Sequence, residues 1–396
     1  MSGVRVRGML RRTQIVGSGA VLCGLLALSG CGNFFSCEGK ADCGTGSSSS
    51  GSNTGDYVYT TNASTSLTAI AGYSISSTGT LTALSGSPFT VSTQPTSLAV
   101  NPANTFLYAA SANSSYPGIY VYSLASSGVP SNANSGTPVN DGNPVYSMVV
   151  SPDGGWLYTI ELSGVGYVIG QYQLVSGIPQ TPTTIAMQSG ATCVALTATC
   201  SITVSPNENF IIAVAGNTGA ILYPYSSSSG VTSAANPGSI ASASGNGDFS
   251  VVVDTSNYAY ISKTTSIESY LINASTSSIG ISSSSLTSTN FTSGETPHSI
   301  LTSNGYVFTA NPGNSTISSF TATAGVLGTG AEVRGPTTVY SIGVDNSGKF
   351  VIAAGKDPSI GLQAFSIGSG GALSNLNQNF KTNTGSSFPI AIALTH

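Results

Sequence analysis

Charge is what this sequence has least of. Asp, Glu, Lys and Arg together make up 6% of 396 residues, against roughly a quarter in an ordinary soluble domain. Ten residues are basic, and four of them (Arg5, Arg7, Arg11 and Arg12) stand ahead of the first apolar stretch. The remainder carries six basic and fourteen acidic residues. No Lys/Arg cluster is left to neutralise a phosphate backbone, so nucleic acid is excluded as a partner. Histidine occurs only as His298 and His396, which rules out a multi-histidine metal centre. A phosphate-binding glycine motif and a Ser-His-Asp order are also missing, so no cofactor and no metal are expected. Helix-period apolar runs are absent too. Val, Ile, Tyr and Thr are frequent, and hydrophobic residues reach 40%, enough for a large core built from strands. Ser, Thr, Asn and Gly fill the places that charge usually occupies.

The first thirty residues read as an export signal. Arg5 to Arg12 form a positive segment, and Ile15 to Leu28 an apolar one too short to span a bilayer comfortably. The run ends in Leu28-Ser29-Gly30-Cys31, which resembles a bacterial lipobox, with Cys31 as the thiol that takes the lipid. An ordinary signal peptide containing a cysteine is the alternative reading, and Arg11-Arg12 leaves twin-arginine export open. By the same resemblance, Gly32 implies sorting to the outer membrane, facing the periplasm or the surface. Residues 31–56 include the Ser/Gly-rich stretch GTGSSSSGSNTGD, a flexible tether. Cys37, Cys43, Cys193 and Cys200 form two close pairs suited to local disulfides in an oxidising compartment. Zinc binding is the alternative, although no His lies near either pair.

From residue 57 to 396 a unit of about 48 residues recurs. One apolar strand begins with a Ser at 97, 147, 201, 250, 299 and 341, with Ala391 in the seventh slot. Asn/Asp/Pro/Gly turns follow (NPAN, SPDGG, SPNEN, DTSN, TSNG, DNSG), then a second strand such as FLYAA or WLYTI. A third strand carries an aromatic at Tyr73, Tyr122, Tyr172, Tyr225, Tyr270, Phe320 and Phe365. A weaker fourth strand closes each unit. Four short strands at this period predict an all-β, seven-bladed β-propeller of four-stranded blades. The repeat starts in a second strand and ends in a first strand, PIAIAL. The ring is therefore expected to close by pairing the C-terminal strand with the N-terminal blade, and the protein to be a monomer.

The segments YVYTTN (57–62), NPANTFLYAAS (101–111) and TPHSILTSNGYVFTANPGNSTISSF (296–320) resemble the lactonase-like seven-bladed propellers, the family of 6-phosphogluconolactonase, and the YVTN-repeat surface proteins. The resemblance implies the propeller fold and lactone hydrolysis. In the enzymes a Pro-Arg-His run opens one inner strand and an Asn-Glu pair ends the next strand. Here Pro297-His298 lacks the Arg and Asn311-Pro312 lacks the Glu.

The register also sorts the charges. Asp153, Glu208, Asp254, Asp345 and Lys349 fall in or beside first-to-second turns, where they suit turn chemistry and solubility. Glu295, His298, Arg334, Asp141, Glu161, Lys263, Lys356 and Asp357 fall on loops at the opposite, channel-mouth face. The position of His298 is held in other units by Thr96, Tyr146, Cys200, Phe249, Tyr340 and Ile390. It reads either as an imidazole in an aromatic slot or as a general base. In the second case Glu295 would orient it and Arg334 would hold a carboxylate or an oxyanion. Two functions are therefore expected as alternatives: a lipid-anchored module binding a glycan, small molecule or protein at the channel face, or a periplasmic lactone hydrolase using His298.

Overall fold

The computed structural model describes residues 55–61, 68–139, 142–164, 166–187, 190–193, 200–216, 218–231, 238–240, 247–275, 278–281, 287–290, 296–356, 361–380 and 391–396. The leader 1–30, Cys31, Cys37, Cys43 and all of the tether but its last two residues lie outside them. Among the described residues the strands form seven antiparallel sheets, arranged as the blades of a propeller. Blade 1 starts at Tyr57–Thr61. Blades 2 to 7 start at the inner strands Ser97–Val100, Val145–Val150, Cys200–Val204, Asp248–Val253, Ser299–Ser303 and Val339–Val344.

Blade 1 takes its inner strand from the other end of the chain, as expected. Ile392–Leu394 pairs with Tyr57–Thr61, setting Val58 against Leu394 and Thr60 against Ile392. Four further bonds lengthen this seam. The Thr61 N–H donates to the Ala391 carbonyl (3.0 Å), and the Thr395 N–H to the Tyr57 carbonyl (3.0 Å). The Tyr57 N–H donates to Thr395 Oγ1 (2.7 Å), and the Ala391 N–H to Thr61 Oγ1 (3.1 Å).

All seven members of the Ser column stand at one level. Ser97, Ser147, Ser201, Ser250, Ser299 and Ser341 lie opposite Ala110, Ile160, Val214, Ser262, Ala310 and Ala354. Ala391 bonds to Thr61, the equivalent residue of blade 1. The aromatic column needs one correction. In blade 4 Tyr223, rather than Tyr225, lies opposite Ile211, matching Tyr172 opposite Leu157 and Tyr270 opposite Ala259. Both tyrosines are buried on one face of the strand, so the pattern of aromatics could not choose between them.

The core is spread through the layers between blades. One apolar cluster joins Tyr108, Ile160 and Ile211 from blades 2, 3 and 4; another joins Val58, Tyr73, Phe350 and Leu362 from blades 1 and 7. A repeated contact fastens successive blades. The aromatic that opens a second strand lies on the glycine of the outer hairpin of the next blade: Tyr57 on Gly128, Phe106 on Gly177, Tyr306 on Gly371 and Phe350 on Gly79. In two cases a tyrosine two residues further on donates to the same hairpin, Tyr59 to the Gly128 carbonyl (2.6 Å) and Tyr108 to the Gly177 carbonyl (2.9 Å). Glycine is required twice over at residue 177. Its φ of 77° is left-handed, and a Cβ there would lie 2.1 Å from the Phe106 ring.

The outer edge is broken into two short strands in five of the blades, as in Val326–Leu327 and Ala331–Arg334 of blade 6. Short, interrupted edges offer little for another chain to pair with.

Replacing Gly177 by Ala should lower stability by about 2–4 kcal/mol, combining left-handed strain with overpacking. Thermal unfolding followed by circular dichroism would measure the loss. The neighbouring exposed Ser176, with a φ of 50°, should tolerate Asn with little change.

Candidate functional site

The seven inner strands enclose a central cavity of about 380 Å³. Ser97, Ser147, Ser201 and Thr203 contribute hydroxyls to its wall, and Val149 and Leu301 contribute aliphatic surface. At one end it reaches the first-to-second turn of blade 7, with Asp345 and Asn346, and the chain's last residues, Thr395 and His396. His396 is fastened to blade 2: its N–H donates to Asn104 Oδ1 (2.8 Å) and its carbonyl accepts from Asn104 Nδ2 (2.6 Å). Burial pushes its imidazole down to about 4. Three acidic residues of the first-to-second turns perform turn chemistry, as expected. Asp153 accepts from the Gly155 N–H, Asp254 from the Ser256 and Tyr258 N–H groups, and Asp345 from the Lys349 and Phe350 N–H groups.

The opposite end is the mouth, where Ser111, Glu161, Ala215, Lys263, Asn311 and Gly355 hold the sixth position counted from the start of each second strand. Three of these residues show how the fold treats polar groups there. Glu161 is wholly buried. Its carboxylate accepts from Tyr172 Oη (2.7 Å), Asn143 Nδ2 (3.2 Å) and the Thr159 hydroxyl. Gly170, opposite Thr159, makes the room; a Cβ there would lie 2.3 Å from Glu161 Oε1. In blade 5 the equivalent residue is Lys263, with 2% of its side chain exposed, and the position of Gly170 is filled by Glu268. The two form an ion pair of 2.7 Å, and Tyr270 donates to Glu268 as well. In blade 6 the residue is Asn311, which donates to Ser318 Oγ (2.7 Å); Ser318 in turn donates to Glu332 Oε1 (2.9 Å). Each charged or amide head is thus satisfied inside a blade face, as burial demands.

The mouth gains the rings of Tyr146 and Tyr340 from a local irregularity of the backbone. In blades 3, 5 and 7 the inner strand carries a β-bulge just before its Ser. The pairing steps from Ser147 to Val145, from Ser250 to Asp248 and from Ser341 to Val339, so Tyr146, Phe249 and Tyr340 are the extra residues. Bulges of this kind re-aim side chains at rims and beside sites. The Tyr146 ring meets Tyr167 edge-on at 5.4 Å, and Tyr167 Oη donates to the Cys193 carbonyl (3.1 Å). Cys193 and Cys200 are joined in a disulfide. Burial, with the neighbouring Tyr167, pushes the Tyr146 phenol upward.

His298 belongs to this aromatic rim. Its ring lies 6.3 Å from that of Tyr340 at 68°, an edge-on contact between blades 6 and 7. Its main chain is fixed by its N–H donating to the Ala310 carbonyl (2.9 Å) and by Ser262 Oγ donating to its carbonyl (3.4 Å). Arg334 does not join it. That residue ends the outer strand of blade 6, exposed and opposite Thr316, which is itself opposite Asn311. Three strand spacings separate His298 from Arg334, about 14 Å between main chains. Glu295, Asp141 and Asp357 lie outside the described residues, and Lys356 is exposed. Sequence reasoning missed Glu268, Glu332, Tyr167 and the bulges. The first could have been found by aligning Glu268 with Gly170, since a carboxylate facing a buried lysine position implies a pair. Among the described residues no group of three or more His, Cys, Asp or Glu could hold a metal ion.

Comparison with known proteins agrees with this architecture. The family of seven-bladed β-propeller lactonases matches residues 56–389. No curated protein matches the chain. Among solved structures, a Bacteroides uniformis protein assigned as a 6-phosphogluconolactonase is similar with a TM-score of 0.69 at 15% identity, covering 86% of this chain and 99% of that one. A similarly assigned protein of Bacteroides fragilis has a TM-score of 0.68 at 13% identity, covering 88% and 100%. The periplasmic gluconolactonase of Pseudomonas aeruginosa has a TM-score of 0.65 at 14% identity, covering 86% and 99%. At such identities the structural likeness speaks for the fold, and the family match over most of the sequence decides membership: this chain belongs to the lactonase family of seven-bladed β-propellers.

Proposed function

We propose that this chain is a ligand-binding propeller of the cell envelope, anchored through a lipid on Cys31, whose channel mouth takes an uncharged, hydroxyl-bearing molecule such as a glycan unit. The treatment of charge at the mouth carries this reading. Glu161 is buried under hydroxyl and amide donors and Lys263 is matched by Glu268. The cavity wall presents serine and threonine hydroxyls, and the rim presents Tyr146, Tyr340 and His298. Tyrosine and serine together suit adaptable recognition of polar, uncharged partners. The absence of an Arg beside His298 and of a Glu after Asn311 supports binding over turnover. The Cys193–Cys200 disulfide supports an oxidising compartment.

Calorimetric titration with a panel of neutral oligosaccharides should give at least one saturable ligand, weakened about tenfold by Tyr340→Ala. That loss is the size expected for one aromatic contact. Saturable binding to anionic polymers alone would overturn the reading. For the anchor, wild-type protein grown with radiolabelled palmitate should carry label and sediment with membranes, and Cys31→Ser should do neither.

Lactone hydrolysis is the second reading. It rests on the family and on the position of His298 at the mouth. A general base contributes roughly 10²–10⁴-fold, so hydrolysis of aldonolactones should fall by at least a hundredfold in His298→Ala. Equal rates for the two proteins, or no rate in either, would remove this reading.

A further inference from the structure

The seam that closes the ring holds a carboxyl group on each side, Asp56 ahead of blade 1 and Asp345 in blade 7. Asp56 directly precedes the first strand of blade 1, and its carbonyl accepts from the Ile75 N–H (2.8 Å). Thr395, from the closing strand, donates through Oγ1 to the Gly55 carbonyl (3.0 Å) on one side of Asp56 and accepts from the Tyr57 N–H on the other. Thr395 also lines the end of the central cavity that the first-to-second turn of blade 7 reaches with Asp345 and Asn346. There Asp345, 4% exposed, accepts from the Ser347, Lys349 and Phe350 N–H groups and from the Ser347 hydroxyl. The Asp345 carboxylate is thereby fixed as an acceptor. Asp56 Oδ1 is buried with no hydrogen-bond partner, and burial and the negative charge of Asp345 are the two main influences on Asp56.

We propose that Asp56 and Asp345 form a proton-sharing carboxyl pair that fastens blade 1 to blade 7 in acid and loosens the ring's seam as pH rises. With a proton on Asp56, the pair gains an O–H donor facing a carboxylate; without it, two like charges share a buried site. Burial, reinforced by Asp345, pushes Asp56 up to about 7 from an ordinary 3.8. The sign follows from where each form holds the proton. Between 3.8 and about 7 the closed seam keeps it and an opened seam releases it, so each unit of pH favours opening by about tenfold. Above about 8 both forms are ionised and the loss is complete. His396, on the closing strand at the same end of the channel, works in the opposite sense. Its imidazole is pushed down to about 4 from 6.5, so acid favours opening through that residue. Of the other groups there, Asn346 offers its backbone to Asp56, and Lys349 contributes the N–H already described.

Asp56→Asn isolates the pair, because an amide can donate to Asp345 at every pH while His396 is unchanged. In the full chain, hydrogen exchange of the Tyr57 and Thr395 N–H groups, corrected for intrinsic rates, reads seam opening directly. The opening ratio of wild type to Asp56→Asn should rise by about fiftyfold from pH 5 to pH 7 and level off near about a hundredfold above pH 8. A ratio constant across this range would overturn the proposal. Carbon-13 titration of the Asp56 carboxyl in the wild-type protein gives a second measure that needs no variant. A midpoint near 7 is expected, and one below 5 would overturn the proposal even if Asp56→Asn failed to fold.

Discussion

The whole ring depends on one strand pairing, that of Ile392–Leu394 with Tyr57–Thr61. Every layer of the core lies between two blades, so each is complete only if the ring is complete. Phe350 and Leu362 of blade 7 are covered by Val58 and Tyr73 of blade 1, and the closing strand holds those blades in register together with the packing of Phe350 on Gly79. Its pairing joins residues more than 330 positions apart, a costly loop to close, and the cost grows only slowly with length. The bonds of Thr395 and Thr61 extend a three-residue strand on both sides. Hydroxyls are well suited there, since they serve N–H groups that no neighbouring carbonyl reaches.

The ring was legible in the sequence because burial at a fixed period leaves a mark in every unit. The Ser column held in all seven units and located the closing strand at its last slot, Ala391. Signals failed where two residues satisfy one pattern. Tyr223 and Tyr225 flank Pro224 on the same face, and an aromatic count treats them alike. The mouth was less legible still, because it is built across blades. Nothing local to His298 announces Tyr340, some forty residues later. A β-bulge adds one residue to a strand without changing its composition, so Tyr146 and Tyr340 gave no sign of being re-aimed. Arg334 reads as a loop residue in the sequence but ends the outer strand of blade 6; linear order hides the width of a blade, and two strands lie between it and the strand that follows His298.

The shortage of charge and its placement belong together. A protein with few ionic groups cannot scatter them over a blade interface, because each buried one must find a partner. Glu161 and Lys263 occupy equivalent positions in blades 3 and 5, and their environments are complementary. Glycine opens a hole for the carboxylate, and glutamate at that same position answers the ammonium. The result is a mouth whose polarity comes from hydroxyls and aromatic edges.

The ring-on-glycine contact has a consequence for how such a chain can be cut and rejoined. Tyr57 to Ser126, Tyr59 to Gly128 and Tyr108 to Gly177 are each separated by 69 residues, although the sequence repeats at about 48. A segment carrying one whole contact is therefore longer than one repeat, and successive segments overlap like roof tiles. Excising a single repeat severs two contacts and leaves the halves mismatched unless the flanking ring and glycine are themselves compatible. Exchange of blades among relatives is thus constrained by a pair of residues that never sit in the same blade.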